Sequence, residues 1–256
     1  MATDNLFAGR KVLVTRPESQ AQTLAAMVAD RGGEAIIFPA LAIAFIPATQ
    51  WPQIDWPQID WLIFVSPNAV AAFVAGYQQP LPANVKCVAV GGGTVKAMQQ
   101  HGLAVDLQPP ESKGSESLLT VEQFQTLQGQ QIVIVRAPGG RELLAETLRL
   151  RGASVSYLNA YQRVRPHPSE TACQQAAQVD YLTATSVASL DNLCALLKPY
   201  LSHIRELPLV VLSDRIQQHA LSSGFKKVTV TTDASDNAIM QRLTEMEQNH
   251  GKRQQD

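Results

Sequence analysis

The sequence has little cysteine, few aromatic residues, no excess of either charge and no long apolar run, and each shortage argues against a class of function. Its 3 cysteines, Cys87, Cys173 and Cys194, are odd in number, far apart and without a Cys-x-x-Cys pair, so a disulfide framework or zinc knuckle is not expected and buried reduced thiols are. The 5 histidines, His101, His167, His203, His219 and His250, show no metal-ligand spacing and no Glu-x-x-His companion, and no metal is expected. With 21 basic against 22 acidic side chains, the broad basic footprint of a general nucleic-acid binder is missing, and any anionic partner must be met locally. The longest apolar stretch, 35–48, falls short of the roughly 20 residues of a spanning helix and is broken by Pro39 and Pro47. The first residues, Met1-Ala2-Thr3-Asp4-Asn5, carry neither the basic nor the apolar part of a signal peptide. The expectation is a cytoplasmic chain without membrane contact.

What is present is enough apolar content, 45% of 256 residues, for a sizeable core in one or two domains. It is organised by an offset of 120 positions. Val12-Leu13-Val14-Thr15-Arg16 matches Ile132-Val133-Ile134-Val135-Arg136, and Leu24 with Arg31-Gly32-Gly33 matches Leu144 with Arg151-Gly152-Ala153. Asp60-Trp61-Leu62 before Ser66 matches Asp180-Tyr181-Leu182 before Ser186, and Ser115-Glu116 before Leu119 matches Ser235-Asp236 before Ile239. Four matches in one register point to an internal duplication. Each copy alternates short β-branched runs with helical patterns, the mark of βαβ units and a parallel sheet. Strands are expected at 11–15, 35–38, 61–65, 87–90 and a weaker 104–107, then at 131–135, 154–157, 181–184, 209–212 and 227–231. Helices in the first copy are expected at 20–31, 69–77, 95–101 and 117–124. Five strands per copy suggest flavodoxin-like, doubly wound α/β lobes. Trp51-Pro52-Gln53-Ile54-Asp55 is repeated at once as Trp56-Pro57-Gln58-Ile59-Asp60, which reads as a tolerated surface-loop insertion.

In open α/β sheets ligands bind beyond the carboxyl ends of the strands. Here those positions are small and polar: Arg16 after the first strand, Ser66-Pro67 after the third, Gly91-Gly92-Gly93-Thr94 after the fourth. Arg136 to Arg141, Thr185-Ser186 and Ser213-Asp214-Arg215 occupy such places in the second copy. Ser66 suits an N-cap with Pro67 at the first helical position, and the glycines leave backbone N–H groups bare at a positive helix end. These loops suit anions. The glycine run is neither Gly-x-Gly-x-x-Gly nor a P-loop, and neither a Ser-His-Asp order nor paired carboxylates are evident. Two readings outside catalysis are a bilobal binding protein that closes on a small polyanion and a flavodoxin-like redox module, the latter weakened by 6% aromatic content and no flavin phosphate loop.

Val14-Thr15-Arg16-Pro17, Val65-Ser66-Pro67-Asn68-Ala69, Val90-Gly91-Gly92-Gly93-Thr94 and Leu158-Asn159-Ala160-Tyr161-Gln162-Arg163, in that order across residues 10–245, resemble the uroporphyrinogen-III synthase family. The resemblance implies two flavodoxin-like lobes that exchange their first β-α unit: 1–38 with 166–256 as one, 43–159 as the other, and 39–46 with 159–165 as connector strands. It implies a cofactor-free cyclisation of hydroxymethylbilane to uroporphyrinogen III, with loss of water and inversion of the last ring. Tyr161 matches the family's catalytic tyrosine, whose phenol can donate a proton to the departing hydroxyl. Substrate carboxylates would fall on Ser66, Gly91, Thr94, Ser186 and Ser213, with Arg16 as a cation. Ser213-Asp214-Arg215 departs from the family's Gly-x-x-Thr pattern, and Asp214 would repel a carboxylate. A monomer suffices for this reading, and the one protein partner expected is a transient contact with the enzyme that supplies the substrate.

Overall fold

Short runs such as Val12-Leu13-Val14 and Ile132-Val133-Ile134-Val135 send alternate residues to opposite faces of a sheet, and both faces are buried. The computed structural model describes residues 5–109, 114–140 and 142–253. The strands are β1 (Lys11–Val14), β2 (Glu34–Ile37), β3 (Ala42–Phe45), β4 (Trp61–Phe64), β5 (Lys86–Ala89), β6 (Gln131–Arg136), β7 (Ser154–Asn159), β8 (Tyr161–Val164), β9 (Tyr181–Ala184), β10 (Pro208–Val211) and β11 (Lys227–Val230). The helices are α1 (Glu18–Ala29), α2 (Pro67–Gly76), α3 (Gly92–Gln100), α4 (Ser115–Leu118), α5 (Leu143–Leu150), α6 (Glu170–Ala177), α7 (Val187–Leu196), α8 (Leu201–Ile204), α9 (Asp214–Ser222) and α10 (Asp236–Arg253).

The chain forms two units, one from residues up to Ala42 and from Val164 onward, the other from Ile43–Arg163. In the first, five parallel strands run β2-β1-β9-β10-β11, the flavodoxin-like order. Val12 and Val14 pack with α1 and α10 through Leu24, Val28 and Leu243, while Leu13 faces Leu190 of α7 and Ile216 of α9. In the second unit the order is β7-β6-β4-β5, again parallel. Leu62 and Phe64 face Val70 and Phe73 of α2, and Trp61 and Ile63 face Leu144 and Leu148 of α5. The α/β expectation with parallel sheets holds. Strands β3 and β8 pair separately, and both unit boundaries fall within them.

Three expectations need correction. The strand expected at 104–107 is reduced to one bridge between Val88 and Leu107, because the Asp106 carboxylate accepts the Cys87 N–H at 2.7 Å where a ladder partner would stand. The helix expected at 117–124 stops at Leu118 and resumes only as a 3₁₀ turn, Glu122–Phe124. The doubled pentapeptide is no idle loop. Trp51 stacks on Phe73 at 6.0 Å and donates its indole N–H to the Ile46 carbonyl, while Trp56 sits edge-on to Phe73 at 5.8 Å and Tyr77 at 4.9 Å. Both copies therefore cover α2, and Gly76 is required there because a Cβ would lie 2.4 Å from the Trp51 ring.

Candidate active site

The carboxyl ends of the parallel strands carry the polar residues in each unit. In the second unit Ser66 follows β4 and caps α2: its Oγ accepts the Ala69 N–H at 3.1 Å, with Pro67 at the first helical position. The same Oγ lies 2.9 Å from the Tyr161 hydroxyl, 95 residues away in sequence. Tyr161 opens β8 and is 2% exposed, packed into the core that α2 covers. So the resemblance-derived catalytic residue and one of the expected carboxylate ligands share a hydrogen bond.

Gly91 and Thr94 stand at the start of α3, next to α2; a Cβ on Gly93 would touch Pro67 at 3.6 Å. The Thr94 N–H turns back to the Gly91 carbonyl, and Thr94 is 4% exposed. A Cβ on Gly91 would meet nothing within 4 Å, so space alone does not demand glycine there.

In the first unit Arg16, Ser186 and Ser213 follow the adjacent strands β1, β9 and β10. Arg16 is already engaged: its guanidinium pairs with Asp236 in the first turn of α10 and reaches the Ala234 carbonyl at 3.4 Å. Ser186 is a full capping box with Ser189, their hydroxyls accepting each other's N–H at 3.0 and 3.1 Å. The Ser213 hydroxyl makes no cap bond, and Asp214 places a negative charge in the first turn of α9.

A cavity of about 280 Å³ opens beside Tyr161 in the second unit, lined among others by Val65, Val90, Arg136, Tyr157 and Arg163. Arg136 ends the apolar strand β6 and its side chain is 7% exposed. It binds Glu142 at 2.9 Å, and its guanidinium carbon lies 4.6 Å from the centre of the Tyr157 ring. The Tyr157 hydroxyl also donates to Glu142, and that bond, with Arg136 behind it, lowers the Glu142 pKa; burial raises that of Tyr157. Sequence reasoning noticed Arg136 but did not assign Glu142, Tyr157 or Arg163. The available signal was a cation closing an otherwise apolar strand and followed by Pro138-Gly139-Gly140. Arg141 of the same loop lies outside the described residues.

Among the described residues no helix is long and apolar enough to cross a membrane. The family profile described as uroporphyrinogen-III synthase HemD matches residues 22–241. The chain is 30% identical over 248 residues to a uroporphyrinogen-III synthase of Escherichia coli (strain K12), covering 91% of this chain and 99% of that one. It is 29% identical over 245 residues to one of Salmonella typhimurium, with coverage of 91% and 99%. Among solved structures it resembles uroporphyrinogen-III synthetase from Helicobacter pylori 26695, with a TM-score of 0.61 at 14% identity over 93% of this chain and 99% of that one, a likeness of fold. A profile match over most of the chain, joined to full-length relatives of one name, disfavours the binding-protein and redox readings: the chain belongs to the uroporphyrinogen-III synthase family.

Proposed function

We propose that the chain is a cyclising lyase that converts hydroxymethylbilane to uroporphyrinogen III without a cofactor, losing water and inverting ring D. Departure of the terminal hydroxyl leaves an electrophilic azafulvene. Attack through the substituted carbon of the last ring then gives a spiro intermediate that fragments and recloses. Unaided, the azafulvene closes directly to the symmetric isomer I, so the main task is to hold the chain ends where the spiro route is nearer. Tyr161 donates a proton or hydrogen bond to the leaving oxygen, and Ser66 orients the phenol. The observation that carries this reading is the 2.9 Å contact between Ser66 and Tyr161 at the carboxyl edge of a parallel sheet.

Carboxylates of the substrate are met by Ser66, Thr94, Ser213 and the amides after Gly91. Arg16 contributes a guanidinium shared with Asp236, and Ser186 contributes through its helix start. Descent from a duplicated unit is part of the reading, supported by the 120-position offset and the like order of strands in the two sheets. A monomer suffices for this reading, and three free thiols suit the reducing cytoplasm. Since free hydroxymethylbilane closes on its own, a brief handover from the enzyme that forms it fits the chemistry.

The test is to incubate the protein with freshly generated hydroxymethylbilane, oxidise, and resolve the porphyrin isomers. Isomer III should dominate; isomer I alone at the spontaneous rate rejects the proposal. Tyr161→Phe should lower kcat by about a hundredfold or more with folding intact, and an unchanged kcat at saturating substrate sinks the role of the phenol.

A further inference from the structure

The cavity beside Tyr161 holds charge that the mechanism above does not use. Arg136 donates from Nε to the Ala137 carbonyl at 3.1 Å and from Nη1 to Glu142 at 2.9 Å, yet its buried Nη2 has no partner among the described residues. Gly140 passes so close that a Cβ would stand 2.4 Å from Nη2, so the chain presses its backbone against the free end of the guanidinium. Arg163 supplies a second cation, with no partner among the described residues, and no carboxylate is found among the described residues lining the cavity. Glu142 differs in character: its side chain is 49% exposed, and among the described residues Arg136 and Tyr157 hold it by hydrogen bonds. At about 280 Å³ the cavity is far too small for a linear tetrapyrrole. It lies near the lower end of small-molecule sites, about 300–1,000 Å³, the scale of one ring with its acidic side chains.

We propose that this cavity is a carboxylate subsite for a single acidic pyrrole ring, bound by Arg136 and Arg163, and that Glu142 is an internal stand-in that holds Arg136 until a substrate carboxylate replaces it. The proposal rests on the reading that the chain acts on a tetrapyrrole polycarboxylate. Exchanging one carboxylate for another keeps the buried guanidinium paired throughout, which avoids the large penalty of an uncompensated buried charge. The displaced Glu142 goes to water, where a carboxylate is well solvated. Because Glu142 withholds Arg136 from part of the population, it weakens apparent affinity in proportion. The stand-in thereby makes the subsite selective for acids strong enough to compete with an internal one.

Calorimetric titration with porphobilinogen, a monopyrrole bearing one acetate and one propionate, and with its dimethyl ester tests both parts. The acid should bind roughly tenfold or more tighter than the ester. Glu142→Gln should tighten acid binding about threefold or more, and Tyr157→Phe, which removes the second tether of Glu142, should shift it in the same direction. Arg136→Lys should weaken it roughly tenfold; if that variant does not fold, Glu142→Gln decides alone. Acid and ester binding alike, or Glu142→Gln binding the acid no tighter than the parent, overturns the proposal. The titration needs no turnover. Selective acid binding by a protein that yields only isomer I would refute the enzymatic reading and leave the subsite standing.

Discussion

Ser66→Ala removes two bonds at once, and the structure predicts how the loss divides. The first is the cap on α2, where Oγ accepts the Ala69 N–H at 3.1 Å; losing such a cap costs about 1 kcal/mol. The second is the partner of the Tyr161 hydroxyl, which belongs to a residue only 2% exposed. An orphaned buried hydroxyl costs about 1–3 kcal/mol, so Ser66→Ala should destabilise the second unit by about 2–4 kcal/mol. Tyr161→Phe leaves Ser66 its cap bond and should cost about 0.5–1.5 kcal/mol. In the double variant no hydroxyl is orphaned, so the two effects should fall short of additivity by about 1–3 kcal/mol. Urea unfolding followed by tryptophan fluorescence measures this, because Trp51, Trp56 and Trp61 all lie in the second unit and the signal arises there. Effects that add within about 0.5 kcal/mol would refute the claim that the two hydroxyls satisfy each other.

Burial raises the Cys87 thiol to about 12 and pushes the Tyr181 phenol up as well, helped by its bond to Glu247. Both groups are neutral when protonated and titrate at higher pH in the folded than in the unfolded chain. Their contribution to stability is therefore intact below about pH 9 and is lost as pH rises through the folded values. A stability curve flat from pH 9 to 12 contradicts this, and iodoacetamide at pH 8 should label Cys173 before Cys87. Glu247→Ala strips the acceptor from the buried Tyr181 hydroxyl and one of two carboxylate partners from Arg10, which keeps Asp180; hydrogen exchange in α10 should accelerate, by about 1–3 kcal/mol of lost protection. Gly76→Ala drives a methyl to 2.4 Å from Trp51. It should lower the unfolding free energy by about 1–3 kcal/mol and shift the tryptophan emission to the red; an unmoved spectrum means the stacking on Phe73 tolerates displacement.

Much of the fold was legible because local chemistry and tertiary demand agree. Val12-Leu13-Val14 and Ile132-Val133-Ile134-Val135 are rich in β-branched residues, two-faced and followed by helix-starting residues, and they became buried central strands. Ser66-Pro67 announces a helix start and is one. The run 104–107 looked similar but contains Asp106, whose carboxylate competes for the backbone donor that pairing needs. Site chemistry was harder to read because its partners are remote. Arg16 meets Asp236 across 220 positions and Ser66 meets Tyr161 across 95, and no local periodicity encodes such meetings. Glu142 was overlooked for a different reason: an exposed glutamate at a helix start reads as ordinary helix chemistry, and only its bonds to Arg136 and Tyr157 distinguish it.

The segregation of strands between units has a consequence for synthesis. The second unit is continuous in sequence, whereas the first joins β1 and β2 to strands that begin at Tyr181. During translation β4 emerges well before β6, one of its two neighbours; β5 follows at Lys86, so the β6 edge of β4 stays open, as does the β9 edge of β1, a strand that shares the pattern of β6. At about 5–20 residues per second the interval from Trp61 to Gln131 lasts roughly 4–14 s, long compared with the formation of local sheet structure. The nascent chain thus passes through a window in which a β1–β4 pairing can form at these open edges. Productive folding requires β6 to displace it, and β1 then waits, apolar on both faces, until β9 arrives.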